Sequence, residues 1–435
     1  MQEVAKMAMA LEGIKVIDCS QVAAVPMCAR LLGDFGADVI HIENPVTGDY
    51  WRHFTEAQKE LGVGWPNDFD FNWENYNRNK RSCTVDLSSA SGRAIMHKML
   101  ESADVFVSNL RSFELDRFEL DYETLKKINP RIIFGNITGY GKKGPDKDVP
   151  AYDTTAFWAR SSFPYLMSMP GVPCIGYRVG MGDNVAGMAF AFGIMQALYV
   201  RERTGIGQEV DVSLLHCGLY QISYDVSAAL ITGLDVADLR APDPPIELQM
   251  KAQQAIMEVM AFYADRVQVM SPLGGMYLTK DGRQLAFTIL QPDRYWARFC
   301  KALGRDDLAE DPKYQTREGR SEDTPQLRQT FQEIFITKTY DEWRPLLEGI
   351  PYAPRQTLKE AVNDVQARES GCFVAYDHPQ QGRIEQVENP VMMSETPPSV
   401  RMPAPEFGQH TEEVLLEYGF TWEDITRFKE EGTIA

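Results

Sequence analysis

The chain has 435 residues, of which 44% are hydrophobic and 24% charged, and its formal net charge is −18. This length and composition predict a globular protein with two or more domains. The acidic charge argues against nucleic acid or an anionic membrane as a partner, because both require a basic surface.

The cysteines and histidines give no sign of a disulfide scaffold or a metal site. Seven cysteines are scattered without a CxxC pair, and six histidines occur without an HExxH motif. This predicts free thiols in a reducing compartment and no bound metal. Charges at Glu3, Lys6 and Glu12 argue against a signal peptide, and no apolar run is long enough to span a membrane. We therefore expect a cytoplasmic protein.

Strand and helix patterns alternate in the first third of the chain. Apolar runs and helical periodicity predict strands at residues 14–18, 37–43, 104–108 and 131–138, and helices at residues 26–35, 88–103 and 122–128. Successive βαβ units of this kind predict a doubly wound α/β layer whose ligands bind beyond the carboxyl ends of the strands. GxGxxG, GxxxxGK[ST] and GxSxG motifs are absent, so the usual dinucleotide, P-loop and hydrolase signatures do not apply.

Basic residues are concentrated in segments predicted as polar loops between these elements. They include the cluster at residues 77–82, the stretch after the strand at 104–108, and the loop at residues 139–145. Each segment taken alone is typical of a solvated loop. Together they place basic groups near the carboxyl ends of the strands, which suits a ligand that carries phosphate.

Asp183 follows Gly180 and Gly182 and precedes an apolar stretch with helical spacing, residues 186–199. The density of small residues predicts a helix that is packed on most sides. Asp183 can be interpreted as the N-cap of this helix, a position that aspartate favours. It can also be interpreted as a reactive carboxylate that the helix N-terminus keeps ionised, able to attack an acyl group. The local pattern leaves both interpretations open.

The remaining chain predicts a second domain and a return to the first. Residues 213–231 are predicted to be helical, and prolines at 242, 244 and 245 mark a break. The predicted scheme is a large domain at 1–215, a linker at 216–245, a smaller α+β domain at 246–350, a linker at 351–372, and the remainder of the large domain at 373–435.

Motifs along nearly the whole chain resemble those of the class III CoA-transferases, which include formyl-CoA, carnitine and phenyllactate CoA-transferases. The matching segments are LEGIKVID (11–18), LGDFGADVI (32–40), NRNKRS (77–82), GYG (139–141), TGIGQEVD (204–211), HP (378–379) and PAPEFGQHTEEVL (403–415). The resemblance implies a large Rossmann-like domain built from both chain ends, a smaller domain, and an interlaced homodimer. It also implies acyl-CoA and a free carboxylic acid as substrates, with coenzyme A as the group transferred and no metal.

The resemblance also implies roles for individual residues. Asp183 in the Gly182–Asp183 pair matches the family's nucleophile, which forms an aspartyl anhydride and then an aspartyl-CoA thioester. The candidate CoA-binding residues are Asn109 and Arg117, which match CoA-contacting positions, Arg78, Lys80 and Arg81 as phosphate partners, and Tyr140 near the acyl site.

Departures from the family pattern bear on the substrate. Ala23 stands where formyl-CoA transferases carry glutamine, and the small domain has no glycine-rich lid, so formate and oxalate are disfavoured. The segment 141–160 is most similar to the branch that acts on aryl-lactates and branched 2-hydroxy acids. We expect a bulky hydrophobic or aromatic acceptor, whose pocket would be lined by side chains that serve equally well as core: Phe157, Trp158, Phe163, Tyr165, Met167 and Met169.

Two other functions remain open. Related racemases use a Gly-His-Asp stretch, which here is Ala151-Tyr152-Asp153, so racemisation or isomerisation of an acyl-CoA lacks its usual base. The chain could also be a non-catalytic CoA-binding subunit of a hetero-oligomer, although the presence of Asp183 argues against this.

Overall fold

The computed structural model describes residues 9–60, 62, 69–168, 176–234 and 271–435. It divides the chain into two compact units, Met1–Met250 with Gly371–Ala435, and Lys251–Ser370. The first unit thus contains both ends of the chain.

Within its described residues, the first unit contains a parallel six-stranded sheet with the order β3-β2-β1-β4-β5-β6. The strands are β1 (Lys15–Cys19), β2 (Asp38–Glu43), β3 (Lys80–Thr84), β4 (Val105–Ser108), β5 (Ile133–Thr138) and β6 (Glu209–Ser213). The predicted doubly wound α/β layer is confirmed. The strand order reverses between β1 and β4, the place where such sheets open a crevice for ligands.

Helices cover both faces of this sheet. They are α1 (Ala24–Asp34), α2 (Phe54–Glu60), α3 (Phe71–Asn77), α4 (Ala90–Leu100), α5 (Ser112–Arg117), α6 (Tyr122–Ile128), α7 (Phe163–Met167), α8 (Met181–Thr204), α9 (Leu214–Gln221) and α10 (Ser223–Thr232). A 3₁₀ turn spans Tyr50–His53, and a π-helical segment spans Asp153–Ala159. The segment predicted as a linker, residues 216–245, therefore includes most of α9 and all of α10.

The sheet separates two hydrophobic cores because neighbouring residues of a strand point to opposite faces. Val16 of β1 belongs to the core that α1 and α8 cover, whereas Ile17 belongs to the core beneath α4 and α6. Close approach of α8 to the sheet requires a glycine in β5, since a Cβ on Gly135 would lie 2.4 Å from Cζ of Phe190. The long helix is thereby anchored directly on the sheet.

The C-terminal part of the first unit completes it. It contains the antiparallel hairpin β10 (Phe373–His378) and β11 (Gly382–Val387), and the helices Thr411–Glu417 and Trp422–Glu430. Val414, Leu415, Ile425 and Phe428 of these helices enter the core shared with α4 and α6. The two chain ends are therefore one folding unit.

The second unit has its own small sheet and core. Its antiparallel strands are β7 (Gly274–Leu278), β8 (Gln284–Thr288) and β9 (Tyr352–Pro354), and its helices include Pro292–Ala302, Asp306–Glu310, Arg317–Glu322, Thr324–Phe335, Tyr340–Trp343, Leu358–Ala361 and Val365–Glu369. Trp296, Phe299, Phe331 and Trp343 fill the core. Strand β9 lies in the segment predicted as the second linker.

Two sequence-based expectations about the first unit are wrong. Residues 80–82, predicted as part of the polar loop 77–82, belong to β3 (Lys80–Thr84), and all five side chains of this strand are buried. Helix α8 is not packed on most sides, because a row of its apolar side chains is exposed in this chain: Met188, Phe192, Met195, Tyr199 and Val200.

The helices of the described ranges were also compared with the length and hydropathy that a bilayer requires. None of them combines enough residues with enough apolar character to cross a membrane.

Candidate active site

Asp183 lies in the first turn of α8, at its third residue. The N-cap is Gly180, whose φ of 72° is left-handed and which has no side chain to accept a first-turn N–H. The interpretation of Asp183 as the N-cap is therefore wrong. A left-handed residue at this position favours glycine, which explains why Gly180 precedes the helix.

The Asp183 carboxyl group is partly buried. Burial raises its pKa to about 7, and the nearby charge of Asp153 adds to the increase. No hydrogen bond or ion pair joins its carboxylate to another residue of the described ranges. The positive end of the α8 dipole favours the ionised form. Asp183 is thus close to half ionised at neutral pH, and its lone pairs are free to attack an electrophile.

Asp153 is the second carboxylate of the site and begins the π-helical segment. Its Oδ2 accepts the backbone N–H of Gly182 at 3.3 Å. Burial raises the pKa of Asp153 to about 6, although hydrogen bonds from the backbone oppose this increase. Two carboxyl groups with raised pKa values therefore lie next to Gly182.

Gly182 allows this close arrangement. A Cβ at this position would lie 2.1 Å from Oδ1 of Asp153 and 2.3 Å from Cγ of Phe157. Both distances are far below van der Waals contact. The glycine before Asp183 is thus required by packing, which gives a physical reason for the Gly-Asp pair.

Tyr76 of α3 approaches the same turn from another direction. A Cβ on Gly180 would lie 2.2 Å from the Tyr76 hydroxyl oxygen. Burial, with the charges of Asp183 and Asp153, raises the pKa of Tyr76 above its usual range. The phenol therefore stays protonated and can donate a hydrogen bond beside Asp183.

Sequence analysis did not single out Asp153 or Tyr76. Asp153 was noted only because the residue before it is not histidine, although its own match to the aspartate of the Gly-His-Asp stretch is a usable signal. Tyr76 carries no local signal, since its position next to Gly180 arises from packing of α3.

The increase of kcat/KM on the acidic side of its pH profile should depend on the charge of Asp153 beside Asp183. Because attack requires the ionised carboxylate, kcat/KM is expected to rise with pH and to level off above about 7. Replacing Asp153 with asparagine removes the neighbouring charge and lowers the pKa of Asp183. The increase should then move to lower pH in a profile measured from pH 5 to 9.

Asp211→Asn is a matched control for this experiment. Burial raises the pKa of Asp211 to about 6 as well, yet Asp211 does not contribute to the shift of Asp183. Its replacement should leave the increase of kcat/KM at the same pH. An increase that stays fixed in Asp153→Asn, or moves to higher pH, would contradict the electrostatic account.

The structure places Arg78 and Lys80 in buried ion pairs. Both have 0% exposure. The Arg78 guanidinium lies 3.2 Å from Asp34, and Nζ of Lys80 lies 2.8 Å from Asp18. Both cations are therefore engaged by carboxylates of the protein in this conformation, and their role as CoA phosphate partners stays a prediction.

Arg81 is also occupied by carboxylates of the protein. Its guanidinium lies 2.7 Å from Asp38, 3.3 Å from Glu413 and 2.9 Å from Glu417. This bridge joins β3 and β2 to the helix Thr411–Glu417. Its geometry favours a structural role over phosphate binding.

The other predicted CoA-binding residues lie at carboxyl ends of strands or in an exposed helix. Asn109 follows β4 and exchanges two hydrogen bonds with the backbone of Gln21. Arg117 is exposed at the end of α5. Tyr140 follows β5, and the Arg160 guanidinium lies 4.9 Å from its ring centroid. Contacts of these residues with CoA remain predictions.

The predicted acyl-pocket residues divide between core and surface. Phe157, Trp158 and Phe163 are buried in the core shared with α8. Met167 is 59% exposed. Tyr165 is partly buried, and Met169 lies outside the described residues. The core interpretation is confirmed for the first three residues.

Across the described ranges, no group of three or more histidine, cysteine, aspartate or glutamate side chains is arranged to hold a metal ion.

Comparison with known proteins shows what this chain is similar to. The sequence profile of CoA-transferase family III matches residues 11–411. The (R)-2-hydroxy-4-methylpentanoate CoA-transferase of Clostridioides difficile is 33% identical over 430 residues, which cover 98% of this chain and 100% of that protein. The cinnamoyl-CoA:phenyllactate CoA-transferase of Clostridium sporogenes is 31% identical over 428 residues, covering 97% of this chain and 96% of that protein.

A solved structure shows the same fold. The crystal structure of a CAIB/BAIF family protein from Brucella suis superposes with a TM-score of 0.73 at 24% identity, covering 95% of this chain and 100% of the other. The resemblance predicted from the motifs is therefore confirmed over nearly the whole length. This chain belongs to CoA-transferase family III and is an enzyme of that family.

Proposed function

We propose that the protein transfers CoA from an acyl-CoA thioester to a free carboxylic acid through covalent intermediates on Asp183. The observation that carries this proposal is the unpaired carboxylate of Asp183 in the first turn of α8, with its pKa raised to about 7. A carboxylate with this pKa is partly ionised at neutral pH and a better nucleophile than a fully solvated one.

The proposed reaction begins with attack of Asp183 on the carbonyl carbon of the donor thioester. The C–S bond breaks, CoA leaves as thiolate, and a mixed anhydride joins the donor acyl group to Asp183. The thiolate then attacks the aspartyl carbonyl carbon, the anhydride C–O bond breaks, and the donor acid leaves as carboxylate. Asp183 now carries CoA as a thioester.

The second half repeats these steps with the acceptor. The acceptor carboxylate attacks the aspartyl thioester and expels CoA thiolate, which forms a second anhydride. The thiolate attacks the acceptor carbonyl, giving acceptor-CoA and the free Asp183 carboxylate. Each tetrahedral intermediate carries a negative charge that hydrogen-bond donors stabilise. The Tyr76 hydroxyl is the donor that we assign to this task, since the N–H of Gly182 in the first turn of α8 already donates to Asp153.

The acceptor is proposed to be a bulky hydrophobic, aromatic or 2-hydroxy acid. Two relatives of nearly full coverage carry the names of 2-hydroxy-4-methylpentanoate and phenyllactate transferases. Ala23, in the loop after β1, is smaller than the glutamine of the formyl-CoA transferase pattern, which favours an acceptor other than formate or oxalate.

A panel of acids tests the proposed substrate class. With a single acyl-CoA donor, aryl-lactates and branched 2-hydroxy acids should react with kcat/KM at least about tenfold above formate or oxalate, because a pocket for a large apolar group gains binding energy from its burial. Preference for formate or oxalate would refute the acceptor class. Deuterium uptake at the 2-position without a second acid would instead indicate an isomerase.

The protein is also proposed to form a homodimer through α8 and α10. On α8, Phe192 is 66% and Tyr199 64% exposed. Helix α10 buries none of its residues in this chain, although Leu230 and Ile231 are apolar and more than four-fifths exposed. Exposed apolar side chains clustered on helices in this way are typical of an interface. A second copy of the chain would cover it.

Phe192→Glu should weaken the dimer. A charge at the centre of the apolar α8 face would be buried without a partner, so the dissociation constant should rise by about 100-fold or more. Native mass spectrometry or light scattering measures this directly. Val46→Glu is the control, because Val46 is 87% exposed and lies outside this face. A wild-type monomer, or equal effects of both variants, would contradict the proposed interface.

A further inference from the structure

The loop that joins β1 to α1, residues 20–23, contains a strained backbone. Val22 has a φ of 73°. For a β-branched residue this left-handed conformation is a true outlier, since Cβ crowds the following carbonyl oxygen. Such a conformation persists only where contacts from outside the loop hold it. The loop lies where the strand order reverses between β1 and β4.

The first of these contacts is the side chain of Asn109, which follows β4. Its Oδ1 accepts the N–H of Gln21 at 3.1 Å, and its Nδ2 donates to the carbonyl oxygen of Gln21 at 2.8 Å. The pair fixes both polar groups of the residue before Val22. It ties the loop after β1 to the end of the neighbouring strand.

The second contact is the carboxylate of Asp49, which is 1% exposed. Its Oδ1 accepts the N–H of Val22 at 3.1 Å and that of Trp51 at 2.9 Å. The backbone N–H of Asp49 in turn donates to Oε2 of Glu43 at 3.1 Å. Asp49 is therefore fixed by Glu43 through its backbone, and its carboxylate accepts a hydrogen bond from the strained residue Val22.

The other carboxylate oxygen of Asp49 contacts a buried series of charged side chains. This oxygen, Oδ2, lies 3.4 Å from Nε2 of His41, and Nδ1 of His41 lies 3.0 Å from Oδ2 of Asp18. Lys80 pairs with the same Asp18 oxygen at 2.8 Å, and all four side chains are fully buried. Burial opposes the charge on the ring, but Asp18 and Asp49 raise the pKa of His41 to about 9. A positive ring thus faces Asp49 at neutral pH.

The strained loop is connected to the beginning of α8 through Tyr76 and through the first residue of α1. Ala23 packs in one cluster with Tyr76, whose hydroxyl lies against Gly180. One turn beyond Asp183, a Cβ on Gly187 would lie 2.6 Å from the carbonyl oxygen of Ala24. Movement of residues 22–24 would therefore displace Tyr76 and the first two turns of α8, which contain Asp183.

We infer that Asp49 and Asn109 are positioning residues that hold Val22 in its left-handed conformation. By this clamp on the loop they fix the position of Tyr76 and of the first turns of α8, which contain Asp183. This inference rests on the proposed function of Asp183. Removing either clamp lets Val22 relax to negative φ. The loop then has the conformation with left-handed Val22 in a smaller fraction of molecules. As a result, kcat decreases while the KM for acyl-CoA changes little.

A double-mutant cycle with Val22→Gly tests the inference, because glycine adopts positive φ without a steric penalty. In the Val22 background, Asp49→Ala and Asn109→Ala should each lower kcat about 10-fold, within the 5- to 30-fold range expected for one residue in the left-handed region. In the Val22→Gly background the same changes should cost less than about threefold. Equal costs in both backgrounds would overturn the inference.

Asp49→Asn separates the hydrogen bond from the charge. The asparagine oxygen can still accept the N–H of Val22 and Trp51, so kcat should stay within about threefold of wild type. A loss as large as that of Asp49→Ala would contradict the clamp. If Asp49→Ala does not fold, the same test is made with Asn109→Ala. Asn109 is only half buried, so its replacement should leave the fold intact. A higher KM for acyl-CoA that Val22→Gly does not rescue would mark Asn109 as a CoA contact instead.

Hydrogen exchange gives a readout that does not depend on catalysis. The amides of Gln21 and Val22 should be protected in wild type and lose protection in Asn109→Ala and Asp49→Ala, respectively. Unprotected amides in the wild type would refute the clamp. Failure to find an adduct on Asp183, with protection as expected, would refute the proposed function and leave the clamp standing.

Discussion

Asp183→Asn is expected to lower CoA transfer by about 1,000-fold or more, because an amide cannot attack the thioester carbonyl or carry CoA as a thioester. The replacement is isosteric and removes no hydrogen bond, since the Asp183 carboxylate has no partner in the described ranges. The loss should therefore appear in kcat, while binding of acyl-CoA measured by calorimetry changes little.

The same variant should be more stable than wild type at pH 8. The pKa of Asp183 is about 7 in the folded protein and 3.8 in its usual state, so the folded chain binds more protons between these values. Stability contributed by this group is highest below pH 3.8 and is lost as the pH rises through about 7. The neutral amide avoids that loss, which we place at about 1–3 kcal/mol after allowance for partial exposure.

Thermal unfolding at pH 4 and pH 8 distinguishes this effect from a general stabilisation. The advantage of Asp183→Asn should be present at pH 8 and nearly absent at pH 4. Full transfer activity in the variant would remove Asp183 from the mechanism. An unchanged stability at pH 8 would show that the carboxyl group is not significantly desolvated.

Gly182→Ala should be the most damaging single-methyl change near the site. The new Cβ would lie 2.1 Å from Oδ1 of Asp153 and 2.3 Å from Cγ of Phe157. Phe157 is fully buried and cannot move aside, so the first turn of α8 has to shift. We expect about 1–3 kcal/mol of destabilisation and a decrease in kcat of about 100-fold, since nucleophile and substrate lose alignment.

Gly176→Ala provides the matched control. A Cβ on Gly176 meets no atom of the described residues within 4 Å, and its backbone φ lies outside the left-handed region. Activity and unfolding temperature should stay close to wild type. If Gly182→Ala behaved in the same way, the close packing of Asp153, Phe157 and Gly182 would be refuted.

Most of the parallel sheet is predictable because its strands are short apolar runs separated by clear helical patterns. Strand β3 is the exception, because Lys80 and Arg81 interrupt its apolar pattern. Their partners Asp18 and Asp38 lie 62 and 43 residues away, so local sequence does not indicate that these charges are neutralised inside the fold. The basic cluster consequently resembles a solvated phosphate-binding loop.

The candidate site is predictable where one short motif carries it. The Gly182–Asp183 pair before a helix is recognisable in the sequence, whereas Asp153 comes from a segment 29 residues before Gly182. Its effect on Asp183 arises from distance and burial, which require the folded chain. The left-handed conformation of Val22 is likewise not predictable from the local sequence, because the side chains that hold it, Asp49 and Asn109, lie far along the chain.

Mass spectrometry of the protein incubated with an acyl-CoA tests the central claim most directly. After trapping with hydroxylamine or borohydride, the peptide that contains Asp183 should be modified in wild type and unmodified in Asp183→Ala. Modification at Asp183 would establish transfer through this carboxylate. An unmodified peptide across a broad set of acyl-CoAs, despite measurable CoA binding, would contradict the covalent mechanism.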